Sequence, residues 1–299
     1  METQLIRTFL TVARTENFTS AAAELHLSQS TVTTQVKSLE KMLGVQLFDR
    51  MPRGARVTAA ARRLVPEAAA VLDAEARLRS AAADSEPSGT VAVAAGDTLC
   101  STHLPHVIAA LRRSHPNIAV HLFPAGTHAS VEGLRSGQLD LALLLEDSVA
   151  FPDLTATVIA REALSLVGPP GHPLASSRKP ATWHQLADED VFLHEEGCSY
   201  SDRIAGRLQA ASGAHTRLTR LGSSEAVRSC VMAGLGISIL PRTAVATALR
   251  EERLAVIEGP ALPDVPVQLV RHGERWTSPE VRVVVQALTD HFSTTRHDG

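Results

Sequence analysis

The sequence predicts an α/β chain: an N-terminal winged helix-turn-helix, a long linker helix and a larger C-terminal domain of alternating strands and helices. Three observations carry that prediction. Apolar residues recur at steps of three and four through the opening segment, with capping and turn residues between them. An alanine-rich stretch over 59–84 is strongly helix-forming. From residue 90 onward, short β-branched runs alternate with helical patterns.

Leu5, Phe9, Val12 and Ala13 fall at helical spacing, so about 3–16 reads as an amphipathic helix that Asn17 and Phe18 break. Thr19 or Ser20 can cap a second short helix, Ala21–Leu25, by accepting bonds from its free backbone amides. His26 and Leu27 make a turn, Ser28 caps a third helix over about 29–43, and Gly44 ends it. Two short helices around a tight turn form a helix-turn-helix pattern. On the third helix Val32, Val36, Leu39 and Leu43 make a core stripe. Gln29, Ser30, Thr33, Thr34, Lys37 and Lys41 lie on the other side, and Thr31 shares the helix start with the first of them. Amides and hydroxyls at a helix start can reach base edges in a major groove, and lysines further along can reach phosphates. The same pattern also suits a solvated polar face on an ordinary helical bundle.

In Val45–Thr58, Leu47 and Phe48 read as a buried anchor, and Arg50 to Arg56 as an exposed basic turn between two short strands. That describes a wing whose arginines, Arg50 and Arg53 among them, lie along a nucleic-acid backbone, or else a surface hairpin with no partner. Charge supports the first. Residues 1–63 carry nine Lys/Arg against five Asp/Glu, in a chain whose net charge is −3. A basic start on an acidic body suits a polyanion-binding module.

These residues carry a resemblance. Ala21-Ala22-Ala23-Glu24-Leu25, Ser28-Gln29, Thr33, Gln35-Val36-Lys37-Ser38-Leu39-Glu40 and Leu43-Gly44-Val45-Gln46-Leu47-Phe48-Asp49-Arg50 match, in order, the pattern of the LysR-type transcriptional regulators. Three positions depart from it: Ser30 stands where the family usually has Pro, Thr34 where it has Arg, and Ala61 where it has Gly. The first two touch the reading face, so the resemblance implies DNA binding without carrying a base sequence across. It also implies double-stranded DNA as partner, a homodimer through the linker helix, a homotetramer of two dimers, a contact with RNA polymerase and a small-molecule effector.

The linker stretch has Leu64, Val71 and Leu78 at seven-residue intervals. A seven-residue repeat suits a helix pair between two chains, or a helix packed on its own domain. Pro66 lacks an amide donor and is expected to bend the helix near its first third. Ser85-Glu86-Pro87-Ser88-Gly89 reads as a hinge.

In the C-terminal part, Val91–Ala95, Ile118–Phe123 and Leu139–Leu145 read as strands, and about 98–114 and Ser130–Ser136 as helices. "GQLDLALL" (137–144) and "GSSEAVRSCVMAGLGISILP" (222–241) resemble the family's effector domain, itself similar to type 2 periplasmic binding proteins, with two α/β lobes around a cleft. The division expected is then 1–58, 59–89 and 90–299. Lobe one spans 90–160 and 268–292, lobe two 163–264, with crossovers near Ile159–Ala163 and Asp264–Val267.

Ligands in such sheets bind off strand carboxyl ends, at helix N-termini. Four loops qualify: 96–102, 125–127, 196–200 and 222–224. Their candidate pocket residues are Thr98, Cys100, Ser101, Thr127, Cys198, Ser199 and Ser223, whose hydroxyls and free amides suit a carboxylate or other anion. Thr98, Ser199 and Ser223 also suit plain helix caps. Cys100 and Cys198 lie in loops of different lobes and could make a thiol-responsive pair, since a helix N-terminus favours a thiolate, or be buried and inert.

Composition closes off other classes. No apolar run approaches the ~18–20 residues of a membrane span, and the first ten residues lack the apolar block of a secretory signal. Three cysteines without CxxC spacing suit reduced thiols in the cytoplasm. The thirteen histidines lack metal-ligand spacing; His103, His106 and His115 read as surface residues. No GxSxG, P-loop, HExxH or dinucleotide motif supports an enzyme, and no cofactor is expected. A plain solute-binding protein would not carry the opening helix-turn-helix.

Overall fold

The computed structural model describes residues 2–51, 54–82, 86–194, 197–212 and 216–295. Its N-terminal module holds α1 (Thr3–Thr15), α2 (Phe18–Glu24), α3 (Gln29–Leu43) and an antiparallel hairpin of β1 (Phe48–Met51) and β2 (Gly54–Val57). Phe9, Val12, Val32, Val36, Leu39, Leu47 and Phe48 fill its core, with the rings of Phe9 and Phe48 5.9 Å apart. Burial of this stripe, rather than propensity, is what holds such short helices in place.

Three local expectations are corrected. The second helix starts at Phe18, because the Asn17 side chain accepts the amides of Thr19 at 2.8 Å and Ser20 at 3.1 Å; neither Thr19 nor Ser20 is the cap. Leu43, placed in the core stripe, is 39% exposed, because it lies at the last turn of α3, beyond the part covered by α1. The basic turn is shorter than expected. Ala55 is buried, since its amide donates to the Glu16 carbonyl at the end of α1 and β2 is already paired there. Gly54 makes that approach possible: its φ is +136°, and a Cβ would stand 2.7 Å from the Glu16 oxygen.

The linker helix, α4 (Ala59–Ala82), starts on Thr58, whose hydroxyl accepts the Ala61 amide at 3.1 Å, and runs through Pro66 as one element. Leu64, Val65 and Ala68 pack on the N-terminal core, whereas Val71 and Leu78 are exposed. Of the hinge expected over 85–89, Ser85 lies outside the described residues and Gly89 already belongs to a strand.

Two five-stranded sheets follow. The first has β3 (Gly89–Ala95), β4 (Ile118–Pro124), β5 (Leu141–Leu145), β6 (Leu154–Glu162) and β12 (Val265–His272) in the order β4-β3-β5-β12-β6. The second has β7 (Leu164–Gly168), β8 (Asp190–His194), β9 (Arg217–Leu221), β10 (Ile237–Pro241) and β11 (Ala255–Val256) in the order β11-β7-β10-β8-β9. In each, a parallel trio is extended by antiparallel strands. The chain passes from the first sheet to the second at Ala163, between β6 and β7, and returns between β11 and β12. Each sheet carries its own apolar core.

The helix expected over 98–114 is two: α5 (Asp97–Thr102) and α6 (Leu104–Ser114). Pro105 causes the break, because it cannot continue a helix from the turn before it. The remaining helices are α7 (Thr127–Ser136), α8 (Trp183–Ala187), α9 (Ser199–Ser212), α10 (Ser224–Met232), α11 (Arg242–Arg250) and α12 (Pro279–Thr295).

Candidate functional site

The first candidate surface is α3. Ser28 holds its start: the Oγ accepts the Thr31 amide at 3.1 Å and shares hydrogen bonds with the hydroxyls of Ser30 at 2.7 Å and Thr31 at 2.8 Å. The Thr34 hydroxyl donates to the Ser30 carbonyl at 2.9 Å. Gln29, Ser30, Thr34 and Lys37 are exposed, and Thr31 and Thr33 are half-buried. The polar side of α3 thus faces outward while its apolar side is anchored. Glu40 ties the helix to the wing, accepting the amides of Leu47 at 2.8 Å and Phe48 at 3.4 Å. Arg56 is exposed on β2. Arg53 lies outside the described residues, as does the side chain of Arg50.

The second candidate is a pocket of about 420 Å³ between the two sheets. Gly96 to Thr98 enter it from the β3 end, Ala125 to Ala129 from the β4 end, and Leu144 to Glu146 from the β5 end. His194, Gly197, Cys198 and Tyr200 close it from the second sheet. These are the carboxyl ends of the strands, where parallel sheets bind ligands. Of the sequence candidates, the pocket gathers Thr98, Thr127 and Cys198. Ser223 stands at its edge, its hydroxyl donating to Asp97 at 3.4 Å. Ser199 bridges the sheets, donating to the Leu145 carbonyl at 3.3 Å and accepting the Asp147 amide at 3.4 Å.

Two candidates turn away. The Ser101 hydroxyl donates back to the carbonyls of Asp97 and Thr98 within α5. The Cys100 thiol donates to the Ala95 carbonyl at 3.3 Å and packs against the first core. Of the two readings of the cysteines, the shifts of their thiols favour the inert one. Burial, with the negative charge of Asp97, pushes the Cys100 thiol up to about 11, and burial pushes Cys198 up to about 11. Desolvation thus outweighs the helix-terminus effect.

The residues that reading the sequence missed are acidic. Thr98, 3% exposed, shares a hydrogen bond with Ser224 across the lobes at 2.8 Å. Beside it the Asp97 carboxylate accepts the Ser224 amide at 2.8 Å. The anion expected at the start of α10 is therefore supplied by the chain itself. Glu146 closes the end of β5 and is 8% exposed. Its one signal in the sequence is a carboxylate set directly after the apolar run Leu141–Leu145. His103, expected at the surface, is 5% exposed, because it lies in the joint between lobes. There it hydrogen-bonds Glu162 at 3.2 Å and His291 at 3.1 Å.

Comparison with known proteins agrees with this geometry. Residues 3–62 match the model of the bacterial regulatory helix-turn-helix protein, lysR family, and residues 84–293 that of the LysR substrate binding domain. YwqM of Bacillus subtilis (strain 168), named an uncharacterized HTH-type transcriptional regulator, is 30% identical over 295 residues, covering 98% of this chain and 100% of that one. A probable hydrogen peroxide-inducible genes activator of Mycobacterium avium is 33% identical over 261 residues, 85% of this chain and 82% of its own. The structure of a full-length OxyR variant from Pseudomonas aeruginosa is similar at a TM-score of 0.78 and 26% identity, covering 98% of this chain and 94% of that one. With both of its parts matched in order, the chain belongs to the LysR family: a helix-turn-helix DNA-binding transcriptional regulator with an effector-binding domain.

Proposed function

We propose that α3 enters the major groove and that ligand binding between the lobes alters how paired copies sit on DNA. Gln29, Ser30, Thr31, Thr33 and Thr34 read bases, and Lys37, Arg50 and Arg53 hold phosphates. The observation that carries this reading is the outward polar face of a helix whose apolar face is locked. The division into 1–58, 59–89 and 90–299 assigns these tasks to separate units. Val71 and Leu78, exposed on α4, supply the seam of a homodimer. Two dimers form a homotetramer that contacts RNA polymerase. Under this reading the chain works in the cytoplasm and catalyses no reaction. Among the described residues no helix is long and apolar enough to cross a membrane.

The interlobe contacts suggest how a ligand acts. Thr98–Ser224, Asp97–Ser224 and Ser199–Leu145 join the lobes around the pocket. The first lobe reaches α4 through Arg275, whose guanidinium lies 3.8 Å from Asp73 and donates to the Arg135 carbonyl at 2.7 Å. Although one relative is named for hydrogen peroxide, the two half-buried thiols, both held above the ordinary cysteine value, favour a bound ligand over thiol oxidation as the signal.

A gel-shift titration of the full chain on its own upstream DNA tests the reading. Gln29→Ala is expected to lose about 1–3 kcal/mol at one base position only. Lys37→Ala is expected to weaken all sequences alike and reduce the salt slope by about one. Binding without sequence preference, or a salt slope unmoved by Lys37→Ala, overturns it.

A further inference from the structure

The pocket holds a buried carboxyl group that no cationic side chain among the described residues pairs with. Glu146 is 8% exposed, and its only side-chain partner among the described residues is the Thr127 hydroxyl, which donates to Oε1. No ion pair among the described residues reaches it; the pocket lining contains no Lys or Arg, and His128 and His194 are not paired with it. The nearby arginine Arg203 is taken by Asp147. A buried carboxylate is costly unless a cation or several donors meet it. A second carboxylate, Asp97, lines the same pocket and, among the described residues, has one of its oxygens engaged, by the start of α10. Also lining the pocket, His194 has a buried Nδ1 without a hydrogen-bond partner among the described residues. Among the described residues, the carboxylates of Glu146 and Asp97 and the His194 Nδ1 are side-chain acceptors with open positions in this pocket.

From this geometry we infer that the effector carries a protonated amine seated on Glu146, with an apolar body against Ala125, Ala129, Leu144 and Leu145. The inference rests on the reading of the cleft as the effector site and gives that site a ligand class. An ammonium supplies both the missing counter-charge and the donors. Glu146 takes one N–H, and Asp97 and His194 Nδ1 are the further acceptors lining the pocket. A carboxylate ligand would instead meet Glu146 and Asp97 as like charges in a cavity of about 420 Å³, and one of the helix starts beside the cleft, that of α10, is already filled by Asp97. The pocket volume admits a single-ring amine.

Three probes of one shape and different charge test this on the full-length chain: benzylamine, benzyl alcohol and benzoate, by calorimetry and thermal shift at pH 7.5. Benzylamine is expected to bind at least tenfold more tightly than benzoate. Glu146→Gln keeps the size and the acceptor for Thr127. It is expected to weaken benzylamine at least tenfold, leave benzyl alcohol unchanged and raise the melting temperature of the ligand-free protein. Benzoate binding as tightly as benzylamine, an amine affinity indifferent to Glu146→Gln, or a ligand-free melting temperature that falls in that variant overturns the inference. Benzoate binding that is abolished by filling the pocket with Ala129→Phe sinks the amine while leaving the cleft as an effector site. No binding of any probe together with an unmoved melting temperature sinks the amine assignment, and the gel shift then judges the DNA-binding reading separately.

Discussion

The N-terminal module and the interlobe pocket are built on opposite principles. In the module, each outward side chain on α3 is placed by neighbours three or four residues away, and the cap, the core stripe and the terminating Gly44 all lie within one short segment. In the pocket, Thr98 meets a partner 126 residues along the chain, and Glu146 meets Thr127 across two strands. The first is a local device on a small core; the second is an assembly of strand ends. A change in one region therefore ought to leave the other standing, and the strength of that separation can be measured.

The largest effect is expected from Phe9→Ala. Phe9 is 1% exposed and centres the N-terminal core, so its loss should cost about 3–5 kcal/mol. DNA binding should vanish at ambient temperature while the C-terminal domain keeps its own melting transition. A scan in which both transitions fall together would break the comparison, showing that α4 couples the two regions into one cooperative unit.

A smaller effect sharpens the other side. Thr98→Val is close in shape but leaves the buried Ser224 hydroxyl without its partner, which should cost about 1–3 kcal/mol. Because Thr98 and Ser224 belong to different lobes, the loss should appear in chemical denaturation as a loosened C-terminal domain. DNA affinity without ligand should change little. Equal stability in the variant would show that the lobes are held by the Asp97 contact and the other bridges alone.

The same contrast explains what the sequence made legible. The α3 boundaries, its Ser28 cap and its Gly44 end could be read because capping is a rule about adjacent residues. Where two rules compete nearby, the local pattern is ambiguous. Asn17 reads equally as a breaker and as the cap that it is for α2, and Pro105 sits inside a helical pattern that it divides into α5 and α6. The strands after residue 90 could be recognised by their β-branched runs, but not their order in the sheets, which sets what faces what. Thr98, Thr127 and Cys198 could be picked out as strand-end loop residues. The sign of the pocket's charge could not, because it depends on Glu146 being buried without a cation and on Asp97 reaching into the second lobe. Hydroxyls beside free amides suggest an anion; that one of these amides, at the start of α10, is taken by the chain's own Asp97 is a tertiary fact.

The smallest expected effect concerns the histidines where the lobes join. His103, His106 and His291 stand together, with His103 and His291 sharing a hydrogen bond at 3.1 Å and the rings of His106 and His291 stacked. On the other side of His103, Glu162 accepts from Thr243 at 2.8 Å, linking α11 of the second lobe to the cluster. Burial, then the neighbouring His103 and His106, holds His291 below the ordinary histidine value of about 6.5. The folded chain therefore binds this proton less readily than the unfolded chain. As pH falls through about 6.5, the unfolded state takes up the proton first, and stability declines. The melting temperature of the C-terminal domain should fall between pH 7.5 and 5.5. His291→Gln should lessen that fall without abolishing it, because His272 is shifted in the same direction. An equally steep decline in the variant would remove the cluster as a source of acid sensitivity.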